Sequence, residues 1–502
     1  MDKKKSMLNV SFSVLFKFAT VLVAIWVRRQ LIQHCGNDVN GLNSLYLSII
    51  GFLAIAELGI GSAISFCMYR PIVEGDNAKI GALYRLFRRL YLLIGTIILV
   101  SGLLLTPFIR YFAKDYQQLD VNLHSSFILM LVSVAITYLF GADLSLINAH
   151  KNNYVTTAIS SGGLLLQYVL QIMVLEITGS FYAYLCCRIV SALAQCVITK
   201  LITRKKYPAV LSSRTKIDAA TRGDLVKRIR AMFMHKVGGL LVNSTDSIVI
   251  SAFSGVATLG RYANYQAISG AMVGVIDQVF VSLTSIFGHL YARENKKVVQ
   301  DHFEMMHLVN FILAEVFFLG YYGVIDGLVG VLFGEDLLIS KILLMVHTAN
   351  GFVRFMRDSA LIFRDATGTF YEDRWKPLVE GLTNLVLSVA LAPWFGVVGV
   401  IGATLFTNLF ICHIAEPYVL YKYAFSTSAK RYMLRNYGMI LIFVAEMLLM
   451  DVFRWEGVGT WAGILLNGGT SLLISLTIGC VAVITDKKLL RAVIHTVKGE
   501  TK

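Results

Sequence analysis

Charged side chains interrupt apolar stretches of this chain at Lys17, Arg28, Arg29, Glu57, Asp143 and Arg188. They do so again at Lys236, Asp246, Asp277, Glu315, Arg354, Arg357 and Asp358. An uncompensated charge in hydrocarbon costs several kcal/mol, so each needs an opposite charge, a wet cavity or a charged ligand. The cations outweigh the acids at the most prominent positions, which favours an anionic ligand. Arg28 and Arg29 are adjacent near the end of the first apolar run. Lys17 lies in the middle of that run, where its head cannot easily reach water. Arg354 and Arg357 are three apart and Asp358 follows four after Arg354, a spacing that suits either a self-neutralised pair or a two-arginine clamp. Lys236 and Asp246 are ten apart, almost three turns, so each needs a partner elsewhere. Asp246 and Asp277 are further acids within apolar runs, for which the plain reading is that of structural counter-ions. Glu416, beside Pro417, reads as capping or bending its helix, and Glu57 as a packing residue near Gly59 and Gly61.

The elements that must hold these residues are membrane spans. Of the 502 residues, 56% are hydrophobic and 15% charged, and the mean hydropathy is +0.66, beyond what a soluble domain carries. Apolar runs near 9–27, 43–69, 89–109, 124–146, 155–175 and 181–199 are followed by runs near 232–254, 262–291, 305–333, 340–363, 377–394 and 396–420. Runs near 437–452 and 461–485 complete about fourteen candidate spans. The runs at 155–199 and 377–420 each read as a helical hairpin with a very short turn. Lys and Arg crowd alternate connections: Lys3 to Lys5, Arg70 to Arg89, Lys200 to Arg230, Arg293 to Lys297, Arg364 to Lys376, Lys422 to Arg435 and Lys487 to Lys502. The turns Glu176 to Phe181 and Phe395 to Gly399 hold none. By the positive-inside rule both ends face the cytoplasm. The first run lacks a small-residue cleavage site and reads as an uncleaved span. The cysteines never form CxxC and argue against disulfides and metal sites. The net charge of +15 sits at span ends without aromatic interleaving, which excludes nucleic acid as a partner.

The pattern of the N-terminal half restarts in the second half. Gly36, Gly41, Tyr46 and Gly51 recur as Gly255, Gly260, Tyr265 and Gly270, and Ala149 to Tyr154 recurs as Ala366 to Tyr371. Both copies begin at the same side and hold six spans, so they are expected to be parallel repeats about an axis along the membrane normal. The fold class expected is therefore an all-α polytopic membrane protein with two six-helix lobes around a central cavity and a C-terminal helix pair. Residues 1–203 form the first lobe, 204–231 a basic cytoplasmic linker, 232–421 the second lobe, and 422–502 the added spans with a basic tail. The linker reads mainly as a topology determinant lying on the cytoplasmic leaflet.

The stretch Ala56-Glu-Leu-Gly-Ile-Gly-Ser-Ala-Ile-Ser-Phe-Cys-Met-Tyr69, with Pro71 and Asp76, resembles the second-span signature of bacterial polysaccharide transporters. A second stretch, Phe363-Arg-Asp-Ala-Thr-Gly-Thr-Phe-Tyr-Glu-Asp-Arg-Trp-Lys-Pro377, continues through Asn384, Gly399, Glu416-Pro417 and Tyr421 and resembles the same family. These are the Wzx-type oligosaccharide flippases of the MOP superfamily, which also holds multidrug exporters. The resemblance implies a flippase in the bacterial cytoplasmic membrane. It would carry undecaprenyl-diphosphate-linked oligosaccharide to the outer leaflet, with polysaccharide polymerase or assembly proteins as partners. It further implies no cofactor beyond proton or sodium coupling, for which Asp246 and Asp277 are the candidates. Lys17, Arg28, Arg29, Lys236, Arg354 and Arg357 are then the expected contacts to diphosphate and neighbouring sugars, bidentate where arginine is used. Related lipid II flippases carry Arg-Asp where this chain has Arg28-Arg29, which puts identical ion linkage in doubt.

Three rival readings frame the expectation. A multidrug or cation antiporter of the same superfamily should have an apolar, acidic cavity. A lipid II flippase differs only in cargo. A membrane glycosyltransferase or polymerase would need a sizeable outer loop with catalytic groups, whereas the longest loop here is cytoplasmic. No P-loop, GxSxG or HExxH is present, so no enzyme chemistry is expected.

Overall fold

The computed structural model describes residues 3–57, 60–215, 217, 223, 244–369, 371–455 and 460–485, with backbone alone at 3–18, 56, 62, 63, 275–282 and 285. Lys236 therefore lies outside the described residues, as do the side chains of Lys17 and Asp277. The described secondary structure is helical throughout. Eight helical stretches among the described residues are long and apolar enough to cross a membrane. The chain divides into two compact units, Met1–Ala263 and Asn264–Lys502.

In the first unit α1 (Lys3–Cys35) leads into α2 (Asn37–Leu53), a 3-10 turn (Ala54–Glu57) and α3 (Ile60–Glu74). The run at 43–69, expected as one span, is thus a broken helix. The run at 124–146 is broken as well, into α5 (Leu123–Thr137) and α6 (Gly141–Ala149). Side chains tie the two breaks together. Glu57 at the first break accepts hydrogen bonds from Tyr91 (2.6 Å) on α4 (Asn77–Leu105) and from Tyr138 (2.9 Å) at the second. Only glycine fits at position 141, where a Cβ would stand 2.3 Å from the Tyr91 ring. Asp76 of the first signature caps α4, accepting from the Lys79 amide at 2.8 Å, the placement expected of an acid at a helix start.

The expected hairpins are both present. Gly179, at φ 59, ends α7 (Asn153–Thr178), and α8 (Phe181–Lys206) returns along it. Ser191 donates to the Gly163 carbonyl at 2.6 Å across the pair. In the second unit α15 (Lys376–Thr407) reverses at Gly396 (φ 55, ψ −134), and Asn384 donates to Thr404 at 2.8 Å across the two arms. The start of the basic linker is docked rather than free. In α9 (Pro208–Ser212) and just beyond, Val210 packs on Gly81, while Ser213 donates to the Ala78 carbonyl at 3.1 Å.

The sequence repeat has a geometric counterpart. Gly36 (φ 88) and Gly255 (φ 89) share one conformation before α2 and before α11 (Val256–Arg293). Between them, Asn37 donates to the Ala257 carbonyl at 2.8 Å, and an added Cβ on Gly41 would meet the Val256 carbonyl at 1.9 Å. The preceding helix, α10, covers 244–254. The repeated tyrosines also match. Tyr46 donates to the Leu123 carbonyl at the start of α5 (2.9 Å), and the Tyr265 hydroxyl accepts from the Ile339 amide just before α13 (3.4 Å). In the second unit α12 (Lys296–Phe333), α13 (Lys341–Met356), α14 (Asp358–Thr367), α15 and α16 (His413–Val419) precede α17 (Lys430–Val452) and α18 (Trp461–Thr485). The expected span 340–363 is broken at Arg357, between α13 and α14.

Candidate functional site

Two polar clusters among the described residues hold candidate residues named above, one in each unit. In the first unit, α1 brings Arg28 to the α7–α8 hairpin. Tyr168 of α7 and Tyr184 of α8 both lie within electrostatic reach of Arg28 and of Arg188. The Nε of Arg188 is buried and meets no hydrogen-bond acceptor among the described residues. Two guanidinium groups around two phenols make a cationic, aromatic surface suited to a phosphate with a sugar beside it. Two residues on, Gln30 donates to Glu176 at 2.7 Å, and His34 stands 3.8 Å from the same carboxylate. These contacts hold the end of α1 against the end of α7.

Arg29 does not join Arg28. Adjacent residues on a helix point about 100° apart, and Arg29 lies over the exposed Trp26 ring, 5.2 Å from its centroid. Arg28 and Arg29 thus lie in different surroundings, and it is Arg188 that shares Tyr168 and Tyr184 with Arg28. Asp143 is buried and accepts from Tyr84 at 2.8 Å, with Lys200 and Arg88 in electrostatic range; it acts as a structural counter-ion. Asp246, on α10, stands near the buried Tyr262 of α11.

In the second unit Arg357 sits at the α13–α14 break. Its Nη2 meets Glu416 Oε1 at 2.7 Å and its Nε meets Glu416 Oε2 at 3.2 Å, while Nη1 meets Glu380 at 3.2 Å and Asn408. Lys376 bridges the same two carboxylates, 3.0 Å from Glu380 and 2.5 Å from Glu416. Asn408 opens a π-helical turn, Asn408–Cys412, and donates onward to Asn350 at 2.8 Å. Two cations and two anions balance in a site where all four residues are less than 10% exposed. A buried pair so arranged is costly to break. Arg354, one turn earlier, is exposed, so the two arginines occupy different surroundings. Arg357 is held by carboxylates that the sequence reading did not assign to it. Glu416, expected only to cap or bend its helix, is the centre of the network. Arg364 extends the cluster, 2.9 Å from Asp365 and 3.3 Å from Asp373.

Sequence reasoning missed that Arg188 shares Tyr168 and Tyr184 with Arg28, and that Glu380 pairs with Arg357 and Lys376. The Lys376–Glu380 spacing of four at a span's start was the available signal. Nothing in the spacing links Arg28 to Arg188, which lie on different helices. Among the described residues no group of three or more His, Cys, Asp or Glu is placed to hold a metal ion.

The fold defined by these helices is that of the MOP-type transporters. The chain superposes on the lipid II flippase MurJ in an inward closed conformation with a TM-score of 0.69, over 95% of this chain and 99% of that one, at 11% identity. An inward-facing multidrug resistance MATE transporter of the MOP superfamily matches with a TM-score of 0.62, over 82% of this chain and 98% of that one, at 13% identity. A MOP superfamily transporter from Pyrococcus furiosus, for which reversed polarity of the binding pocket suggests a different function, matches at 0.55 and 13% identity, over 85% of this chain and 98% of that one. No protein-family profile matches the chain, and no curated protein matches it by sequence.

Proposed function

We propose that this protein is a flippase that carries a polyprenyl-diphosphate-linked oligosaccharide from the cytoplasmic to the outer leaflet by alternating access of two lobes. The observation that carries the reading is the cationic, aromatic cluster of Arg28, Arg188, Tyr168 and Tyr184, set in a fold shared with MurJ and MATE transporters. A sugar-diphosphate head must cross about 30 Å of hydrocarbon, and such a cluster supplies the charge that water would otherwise supply. An acidic, apolar cavity for cationic drugs fits this cluster less well, so the multidrug reading ranks second. Lipid II is a cargo of the same chemical class and ranks beside it.

In this reading Arg28 is the principal contact. Arg29, Lys17, Lys236 and Arg354 are further candidate contacts, and Arg357 acts through its carboxylates to hold the α13–α14 break. The lobes are 1–203 and 232–421, joined by 204–231 and followed by 422–502. The protein belongs in the bacterial cytoplasmic membrane with both ends inside, beside the polymerase that consumes its product. It performs no bond chemistry of its own.

The test is the leaflet distribution of lipid-linked oligosaccharide in the native host with and without the protein, read by a lectin or periodate reagent that cannot enter cells. Loss of outer-leaflet sugar with build-up inside supports flipping. An unchanged distribution, with redundant flippases removed, favours the drug exporter.

A further inference from the structure

Glu315 in the middle of α12 and Glu446 on α17 are 0% and 1% exposed. None of their four carboxyl oxygens meets a hydrogen-bond donor among the described residues. The two carboxyls face one another within hydrogen-bonding range. Two carboxyl oxygens in that position have no hydrogen between them unless one carboxyl is protonated. Were both ionised, two like charges would share a site walled by apolar groups. Phe311, Phe318 and Leu319 flank Glu315 along α12, and Phe443, Met447 and Met450 flank Glu446 along α17, all buried.

No cation among the described residues relieves the pair. Among the described residues the only titratable group acting on either glutamate is the other. Helix α18, the most extensive neighbour of α12, carries no charged residue. On α13, Lys341 is bound 3.0 Å from Asp451, His347 is hydrogen-bonded to Ser269 at 3.2 Å, and Arg354 is exposed. On α14, Arg364 is paired with Asp365 and Asp373, and Asp358 stands beside the break at Arg357. On α16, His413 is hydrogen-bonded to the Val353 carbonyl and to Asn436, and Glu416 belongs to the Arg357 network. At one end of α12 and α17, Asp326 and Asp451 are engaged by Arg454. At the other end His307 is hydrogen-bonded to Ser359 and Tyr432.

We propose that Glu315 and Glu446 form a proton-binding site in which the two carboxyls hold one proton between them, and that exchange of this proton is coupled to the transport cycle. The coupling rests on the flippase reading; the site does not. A cavity of about 310 Å³, walled by Glu304, His307, Arg431, Tyr432, Arg435 and Thr485, lies at the His307 end of α12. His307 stands eight residues, or about 12 Å of helix rise, from Glu315.

The test is infrared spectroscopy of the full-length protein in liposomes from about pH 5 to 8. The expected result is the carbonyl stretch of a protonated carboxylic acid near neutrality, shifted in D₂O and lost in the Glu315→Gln/Glu446→Gln variant. If the double variant does not fold, Glu446→Gln alone must move the band. A band absent from the native protein overturns the site, as does one unchanged in the variants. A band abolished by sodium at fixed pH makes it a cation site instead and equally overturns the assignment. In the same liposomes, the pH dependence of lipid-linked sugar transport is expected to flatten at least twofold in the double variant. An unaltered pH dependence overturns the coupling. Absence of any sugar transport by the native protein would count against the flippase reading and leave the infrared result standing.

Discussion

The two units place the same kinds of cation in opposite surroundings. Arg28 and Arg188 in the first unit face phenols, whereas Arg357 and Lys376 in the second face Glu380 and Glu416 in a closed network of two positive and two negative groups. A balanced, dry cluster fixes backbone, here the break between α13 and α14. A cationic surface lined with aromatic hydroxyls has the chemistry that suits a phosphate with a sugar beside it. Residue type alone therefore does not separate a scaffold from a ligand site; the company each cation keeps does.

The contrast is most sharply broken by removing one member from each cluster. Glu416→Ala strands Arg357 and Lys376 in a buried site and is expected to cost about 3–5 kcal/mol, read by denaturant or thermal unfolding in detergent. Arg188→Ala should leave stability within about 1 kcal/mol of the native protein while reducing sugar transport at least about tenfold, the loss of one charge-assisted contact. Equal losses of stability in the two variants would erase the distinction. Gly41→Ala tests the repeat contact. The added methyl meets the Val256 carbonyl at 1.9 Å, and the shift it forces should cost about 1–3 kcal/mol, read in the same unfolding assay. Smallest is Glu57→Gln, whose amide keeps one acceptor oxygen for Tyr91 and Tyr138 where the carboxylate offered two. About 1 kcal/mol is expected, and a loss as large as that of Glu416→Ala would show that the broken helices of the first unit are held as tightly as those of the second.

Much of the fold was legible because bilayer physics writes it into the chain. Span-length apolar runs, the glycines at the two hairpin turns and the recurrence of Gly36 and Tyr46 as Gly255 and Tyr265 all have their counterparts in the helices. The breaks at Glu57, Tyr138 and Arg357 were not legible, since each lies within an apolar run whose hydropathy is unchanged by a reversal of a few dihedrals. The site was legible only in its cations. Arg28 and Arg357 stood out as charges in apolar runs, but what meets them comes from distant helices: Tyr168 and Tyr184 on α7 and α8, and Glu380 and Glu416 on α15 and α16. Glu446 went unread although it is an acid in the middle of the apolar run 437–452, because its meaning appears only when α17 packs it against Glu315 on α12. Arg28 and Arg29, adjacent in sequence, lie in different surroundings, Arg28 near Tyr168 and Tyr184 and Arg29 over Trp26.

The central claim is that the cations of the first unit carry the diphosphate while those of the second hold the scaffold. The most direct measurement is outer-leaflet delivery of lipid-linked oligosaccharide by the Arg28→Ala/Arg188→Ala variant, at membrane levels and unfolding temperature matched to the native protein. The account predicts that delivery is abolished with folding intact. Delivery at the native rate by that variant would contradict it.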